Sequence, residues 1–298
     1  MSDVAVVGSI NVDRAVDVPV APERGATLLG GTVLRGPGGK GANQAVALAR
    51  LGRSVAMVGA VGADADGEWM IDTLDAEGVD TRGVRRLEEI ATGQAFVFVE
   101  PYGESTIVVA AGANGALTPA MLDDVASETI ASARCVLAQQ EVPADVVERA
   151  AELCTGMFVL NPAPARPLSE SLLRRVDVLV PNRHELAGIA GQPGTTDVRA
   201  LGEMARALRG PRVVVVTLGD EGALVVEGGE ETHVPAFPVT AIDATAAGDT
   251  FCGALVDGLL EGMSTVAAVE WAVRAAALAT ERPGAMASIP TRAEVAAR

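Results

Sequence analysis

The sequence predicts an α/β fold: a doubly wound, mostly parallel sheet flanked by helices, with a small β-sheet lid beside it. Three observations carry the prediction. Short β-branched apolar runs alternate with segments of helical spacing along most of the 298 residues. The apolar runs are continuous rather than alternating, the pattern of strands covered on both faces in a parallel sheet. Two stretches, 14–34 and 92–109, break the alternation with hairpin-like patterns.

The strand runs are "VAVVG" (4–8), "SVAMVG" (54–59), "CVLAQ" (135–139), "MFVLN" (157–161), "VDVLVPN" (176–182) and "RVVVVTLG" (212–219). Helical spacing spans Gly41 to Leu51, Gly67 to Glu77, Pro119 to Ile130, Ala144 to Leu153, Arg183 to Ala190 and Asp197 to Leu208. From Gly248 to about Thr280 two further helices are broken near Gly262–Ser264. The irregular stretches hold "AVDVPV" and "ATLLGGTVL", then "GQAFVFV" and "STIVV" joined by the turn-like "EPYGE". They are expected to form either a separate small sheet or edge strands of the main one. No repeat or low-complexity linker divides the chain, so residues 1–298 read as one domain with lid segments at about 14–35 and 92–109.

Composition narrows the function. Hydrophobic residues make up 49% of the chain and aromatics 3%, so a large core is built from Ala, Val and Leu. A formal net charge of -16 repels nucleic acid and anionic membranes, and neither is expected as a partner. Three cysteines, none in a CxxC pair, and two histidines offer neither a disulfide framework nor a clustered zinc site. The N-terminus has no signal-peptide pattern, and no apolar run has the roughly 18–20 residues of a membrane span. A soluble, cytoplasmic protein with reduced cysteines is the expectation.

Lys40, in "RGPGGKGANQ", is the one lysine among 23 basic residues. This is not a P-loop: Leu34 stands where Walker A needs its first glycine, and Gly41 follows the lysine where a hydroxyl is required. Nor does "GSINVD" make a dinucleotide fingerprint. What remains is a flexible turn, or a loop whose glycines admit a ligand to the backbone while Lys40 and Asn43 supply side-chain donors. Asn11 and Asp13, just after the first strand, favour the second reading, because α/β proteins bind ligands at strand ends. Donors beside a carboxylate suit a polyhydroxylated ligand.

The strongest signal is "AIDATAAGDTFCGALVDGLL" (241–260). Ala246, Ala247 and Gly248 open a helix with little steric cover, so N–H groups and helix dipole can face an anion. Asp249 in that first turn is either an ordinary helix N-terminal acid or a general base beside a transferring phosphoryl group.

Taken together, "GGKGAN", "LNPAPA", "TLGDEG" and "DATAAGDTF", in this order and spacing, resemble the ribokinase family of sugar and nucleoside kinases from residue 4 to about 291. The resemblance implies that Asn11, Asp13, Gly39, Lys40, Asn43 and Glu141 bind the sugar, with Asp249 as catalytic base. It implies an anion hole at Ala246, Ala247 and Gly248, and Asn182 and Glu185 serving the phosphates and hydrated Mg²⁺. Read alone, Glu185 is a solvated helix acid. Thr217, Gly219 and Gly222 would lie beside ATP. An activating K⁺ would be held by Asp243, Thr245, Ala279, Arg282, Gly284 and Ser288. Ala246 stands where glycine is common, Cys252 where asparagine is frequent, and Val273, followed by Arg274, where Asn or His often meets adenine. The implied activity is transfer from ATP to the 5-hydroxyl of D-ribose, in a homodimer whose lids clasp each other. The alternatives are a kinase of deoxyribose, fructose, a keto-deoxy sugar acid or a nucleoside, the last needing aromatic stacking from Tyr102 or Phe96. A non-catalytic sugar-sensing homologue is a third.

Overall fold

Val4 and Val6 face one side of the first strand and Ala5 and Val7 the other, and all four are fully buried. The same alternation repeats at Val213–Val216, so the pleat fills a core on each face of one sheet. The computed structural model describes residues 2–25, 27–101 and 105–298. In chain order its strands are β1 (Val4–Val7), β2 (Asn11–Asp17), β3 (Leu34–Gly38), β4 (Val55–Gly62), β5 (Asp80–Leu87), β6 (Gly93–Val99), β7 (Ser105–Ala110), β8 (Cys135–Gln139), β9 (Met157–Asn161), β10 (Val178–Leu179), β11 (Val213–Thr217), β12 (Ala223–Glu227) and β13 (Glu230–Val234). Nine form one sheet, in the order β13-β12-β11-β10-β9-β8-β1-β4-β5.

Pairing is parallel from β5 through β11 and antiparallel at β12 and β13. From β1 the chain winds out to β4 and β5, then returns to β8 and winds the other way. The switch between β1 and β8 opens a crevice at the carboxyl ends of the strands. Helices Lys40–Arg50, Ala65–Ala76, Ala247–Leu260 and Thr265–Ala279 cover one face. Pro119–Val125, Ser127–Ser132, Ala144–Leu153, Arg183–Ala190 and Val198–Ala207 cover the other.

A second, four-stranded sheet has the order β3-β2-β6-β7. The hairpin-like stretches thus make a separate small sheet rather than edges of the main one. Its centre is a parallel β2–β6 pair, with antiparallel partners outside. Among the described residues of "ATLLGGTVL", only Leu34 belongs to a strand; β3 runs on through Gly36 and Pro37 into the glycine segment. Of the turn "EPYGE", residues 102–104 lie outside the described residues.

Several sequence expectations are corrected. Helix Pro119–Ile130 is two helices, because Ala126 at φ -133° leaves helical geometry. Run 176–182 contributes a two-residue strand; Pro181 has no N–H to continue the ladder, which resumes only at the Asn182–Thr217 bridge. The β12–β13 hairpin was not read from the sequence, although its Gly228–Gly229 turn, both at positive φ, is the usual two-residue hairpin signal. The edge strand β5, "DTRGVRRL", is too polar to read as a strand by pattern.

The two helices that matter for the site are tied down below it. Asp257, fully buried in helix Ala247–Leu260, accepts from Arg53 Nε at 2.6 Å, from Trp271 Nε1 at 3.1 Å and from Arg292. Arg50, at the end of helix Lys40–Arg50, pairs with Glu77 and donates to the carbonyls of Met286 (3.0 Å) and Ile289 (2.7 Å). Replacing Asp257 by Ala removes the shared acceptor of Arg53 Nε, Trp271 Nε1 and Arg292, while Arg53 keeps Glu261 and the main-chain carbonyl at position 257. The expected loss is about 1–3 kcal/mol of unfolding free energy in urea melts, the cost of leaving buried donors without their acceptor; a loss within about 0.5 kcal/mol, the range of ordinary surface substitutions, would show that solvent or other acceptors replace the carboxylate.

Candidate active site

Strand β1 ends at Val7 and β2 begins at Asn11, so Asn11 and Asp13 sit on the first residues of the small sheet rather than in a loop. Register places Asn11 opposite Gly38 on one side and Gly93 on the other. Asn11 Oδ1 accepts from Asn114 Nδ2 at 2.8 Å. Asn114 is itself fixed by the backbone of Ile10, at 2.9 and 3.0 Å. This leaves the Asn11 amide N–H groups as its free donors. Asp13 needs glycine at position 38, diagonal to it across the β2–β3 pair: a Cβ there would stand 2.2 Å from the carboxylate. Gly39, at φ 92°, is the N-cap of the helix that begins at Lys40, one residue earlier than the spacing indicated.

That helix delivers Lys40, Asn43 and Gln44 to the crevice. Asn43 Nδ2 donates to Asp249 Oδ2 at 2.9 Å and Gln44 Nε2 to Asp249 Oδ1 at 3.0 Å, joining residues more than 200 apart in sequence. Glu141, two residues past β8, accepts from Ser9 Oγ at 2.5 Å and from the Lys40 backbone N–H at 3.3 Å. The predicted sugar residues therefore converge from β2, the first helix and the β8 loop. Gln44 and Ser9 were not predicted. Gln44 directly follows Asn43 in the quoted segment and Ser9 lies in "GSINVD", but neither residue type signals a site by itself.

Asp249 lies in the first turn of helix Ala247–Leu260 and is buried. Its N-cap, Ala246, has φ 60° and is the one non-glycine at positive φ among the described residues. Glycine adopts that geometry without the roughly 1–2 kcal/mol an L side chain costs, which explains why glycine is common there. The Ala247 N–H donates to the Ala244 carbonyl at 3.2 Å, so it is not the free donor the sequence suggested. The N–H groups of Gly248 and Asp249 have no intrahelical acceptor, and nothing lies within 4 Å of a Cβ built on Gly248.

A cavity of about 210 Å³ opens over this helix start, lined by Lys40, Asn161, Asn182, Glu185, Thr217, Gly248, Asp249 and Cys252, among others. Glu185 is buried at 8% exposure, which overturns its reading as a solvated helix acid. It forms a reciprocal capping box with Asn182: the Asn182 N–H and Nδ2 both donate to it at 2.8 Å, and its own N–H donates to Asn182 Oδ1 at 2.9 Å. Thr217 pairs beside Asn182, and the turn Gly219–Glu221 leads to Gly222, with both glycines at positive φ. Cys252 is buried against the cavity, and burial pushes its thiol well above the ordinary range.

The electrostatics are those of an anionic crevice with one central cation. Burial raises Asp249, against the opposing pull of Lys40 and the amides of Asn43 and Gln44. Burial likewise raises Glu185, opposed by the Asn182 N–H and Lys40. Asp13 is lifted to about 7 by burial and by Glu141 and Asp249. Burial alone would lower Lys40, but Asp249, Glu141 and Glu185 more than compensate, so it stays an ammonium.

The predicted cation loops do come together. Gly284 N–H donates to Asp243 Oδ2 at 2.8 Å, and Ile242 N–H to the Thr280 carbonyl at 2.7 Å. Thr245 donates twice to Asp243 Oδ1, at 2.6 and 2.9 Å. These donors outweigh burial and hold the Asp243 carboxyl below its usual value. Ser288 is fully buried and donates to the Ala285 carbonyl at 2.8 Å. The Ala279 carbonyl accepts only at 3.4 Å, from the Arg282 N–H. The Arg282 guanidinium turns away to Glu294. The remaining lining candidates are placed elsewhere. Val273 packs in the apolar core, and the Arg274 guanidinium lies 5.7 Å from the Phe237 ring centre. Phe96 is exposed on β6, and Tyr102 lies outside the described residues.

A carboxylate at a helix start, flanked by a lone ammonium and free N–H groups at a sheet's switch point, defines a phosphotransferase acting on an alcohol. The profile of the pfkB family of carbohydrate kinases matches residues 1–292, and the chain belongs to that family. It is 40% identical over 295 residues to a ribokinase of Haemophilus influenzae, covering 97% of this chain and 95% of that one. It is 36% identical to a deoxyribokinase of Salmonella typhi, covering 97% and 96%. The structure of an Arabidopsis thaliana ribokinase complexed with ribose and ATP superposes with a TM-score of 0.92 at 31% identity, covering 99% and 98%.

Asp13 gives a stability signature. Its folded pKa of about 7 lies above the ordinary 3.8, so its contribution is complete below about pH 4 and lost as pH rises through 7. Asp13→Asn should melt roughly 2–5 °C above the unmodified protein at pH 8, with the gap closing toward pH 4. Equal melting at both pH values would show that Asp13 is ordinary in the folded state.

Proposed function

We propose that the chain transfers the γ-phosphoryl group of ATP to the 5-hydroxyl of D-ribose. The observation that carries this reading is Asn43 hydrogen-bonded to Asp249 at 2.9 Å beside Lys40, which puts a hydroxyl-binding helix and an anion-binding helix start into one crevice. Asn11, Asp13, Gly39, Lys40, Asn43 and Glu141 hold the sugar hydroxyls. Asp249 accepts the 5-hydroxyl proton, and the electron pair of that O–H bond forms the new bond to phosphorus. The bond from phosphorus to the bridging oxygen breaks, and ADP leaves with its electron pair. The N–H groups of Gly248 and Asp249 and the helix dipole stabilise the charge on the transferring group. Thr217, Gly219 and Gly222 flank the nucleotide.

Bound ATP brings further negative charge to Asp249, Glu185, Glu141 and Asp13, which face one lysine, so the crevice suits a bound cation. Asn182 and Glu185 would hold hydrated Mg²⁺, which neutralises phosphate charge during transfer. The ionised Asp243, with the Thr245, Ala279, Arg282 and Gly284 carbonyls and Ser288 Oγ, is an oxygen set with one carboxylate that fits K⁺. The exposed apolar side chains of Leu34, Ile107 and Val109 support a homodimer through the small sheet, which would act as the lid. Sedimentation velocity reads that state directly.

ADP release with D-ribose, 2-deoxyribose, fructose and adenosine, each with and without K⁺, tests the substrate. Ribose should give the highest kcat/KM, raised by K⁺; preference for another member of the panel would overturn the assignment of ribose. Asp249→Asn should lower kcat at least roughly 10²-fold. Lys40→Met should raise the ribose KM about 10–100-fold, the loss of a charge-assisted hydrogen bond. An unchanged kcat in the first variant removes Asp249 as the base, and an unchanged KM in the second removes Lys40 from the sugar site.

A further inference from the structure

Gln44 is fully buried and spends every polar atom it has. Its Nε2 donates to Asp249 Oδ1 at 3.0 Å and to Asn161 Oδ1 at 3.3 Å. Its Oε1 accepts from Gln139 Nε2 at 2.6 Å. Asn161, the last residue of β9, is anchored in turn by donating to the Val180 carbonyl at 2.9 Å. Gln139, the last residue of β8, is also fully buried, and it has room only because residue 8 is glycine: a Cβ there would stand 1.8 Å from Gln139 Oε1. The strand ends thus fix the Gln44 amide in one orientation. Turned over, it would set its carbonyl oxygen against the Asp249 carboxylate and its N–H₂ against that of Gln139.

A side chain that only filled space here would be apolar, since a buried amide costs stability unless each of its atoms is paired. We propose that Gln44 is a positioning residue for phosphoryl transfer: fixed by Gln139 and Asn161, it orients the Asp249 carboxylate and keeps it in its proton-accepting, ionised form. The inference rests on the reading of Asp249 as the base. Asn43 holds the other carboxylate oxygen, so the two amides fix the carboxylate plane and leave its remaining lone pairs toward the cavity. The charged and titratable groups facing Asp249 are Lys40 on the helix of Gln44, Glu141 beyond β8, Asp13 on β2, Glu185 on helix Arg183–Ala190 and Cys252 one turn onward. Burial, Glu141, Asp13 and Glu185 all disfavour the charged carboxylate, and Lys40 alone is cationic. Loss of a neutral donor should therefore show as a shift in titration.

The test is Gln44→Met, which keeps volume and removes the donor. The kcat and the ribose KM are measured from pH 5 to 9, with melting temperature as the check on folding. The expected result is a kcat at least about tenfold lower with a KM changed by less than about threefold, the pattern of an interaction lost in the transition state. The acid limb of the kcat profile should also move up by about 0.5–1 pH unit, as loss of a hydrogen bond to the charged form demands. Gln139→Met, which frees the Gln44 amide to turn over, should move the limb the same way by less. A folded Gln44→Met whose limb stays in place overturns the proposal, whatever its kcat; if that variant does not fold, an unmoved limb in Gln139→Met overturns it. Asp249→Asn separates the two readings. Retained kcat there removes the base and this inference with it, whereas a lost kcat with unmoved limbs in the glutamine variants removes the inference alone.

Discussion

The contact on which the rest of the site depends is the seating of one buried carboxylate, Asp249, against the helix Lys40–Arg50. A carboxylate out of water is unstable unless donors and charge compensate. Here Asn43 and Gln44 occupy its two oxygens and Lys40 supplies the neighbouring positive charge. The compensation comes from a helix that also carries Lys40 and Asn43, the groups proposed to bind the sugar. The proposed base and the proposed hydroxyl site are therefore positioned by the same packing.

That packing explains features remote from the chemistry. Helix Ala247–Leu260 is fixed two turns beyond Asp249 by the buried Asp257 with its arginines. Helix Lys40–Arg50 is fixed at its far end by Arg50, which donates to carbonyls on both sides of Ser288. The C-terminal loops near Asp243 are thereby joined to helix Lys40–Arg50 through one side chain. Small residues dominate where the two helices meet, as Gly253 shows: a Cβ on it would lie 2.7 Å from the Ala47 methyl.

The small sheet follows from the same place. β2 leaves the end of β1 after three residues, so Asn11 and Asp13 lie just beyond a strand end of the main sheet and at the start of the small one. Any movement of the small sheet relative to the large one pivots close to Asn11 and Asp13, the groups proposed to hold the sugar.

Much of this was legible from the chain. The central strands, most helices and the parallel sense of the sheet follow from apolar runs and helical spacing, because burial on both faces leaves a periodicity that needs no partner to be seen. The local motifs "GGKGAN" and "DATAAGDTF" marked Lys40, Asn43 and Asp249, since glycines and small residues at a helix start constrain backbone locally, whereas Glu185 was marked by the family resemblance alone. Tertiary structure decided the rest. The exposure of Glu185, the direction of the Ala247 N–H and the free donors of Asn11 depend on partners distant in sequence. So do Ser9, Gln44 and Gln139, whose residue types are ordinary. A glutamine becomes a holder of a carboxylate only when the fold buries it with that carboxylate, and no spacing along the chain records such a meeting.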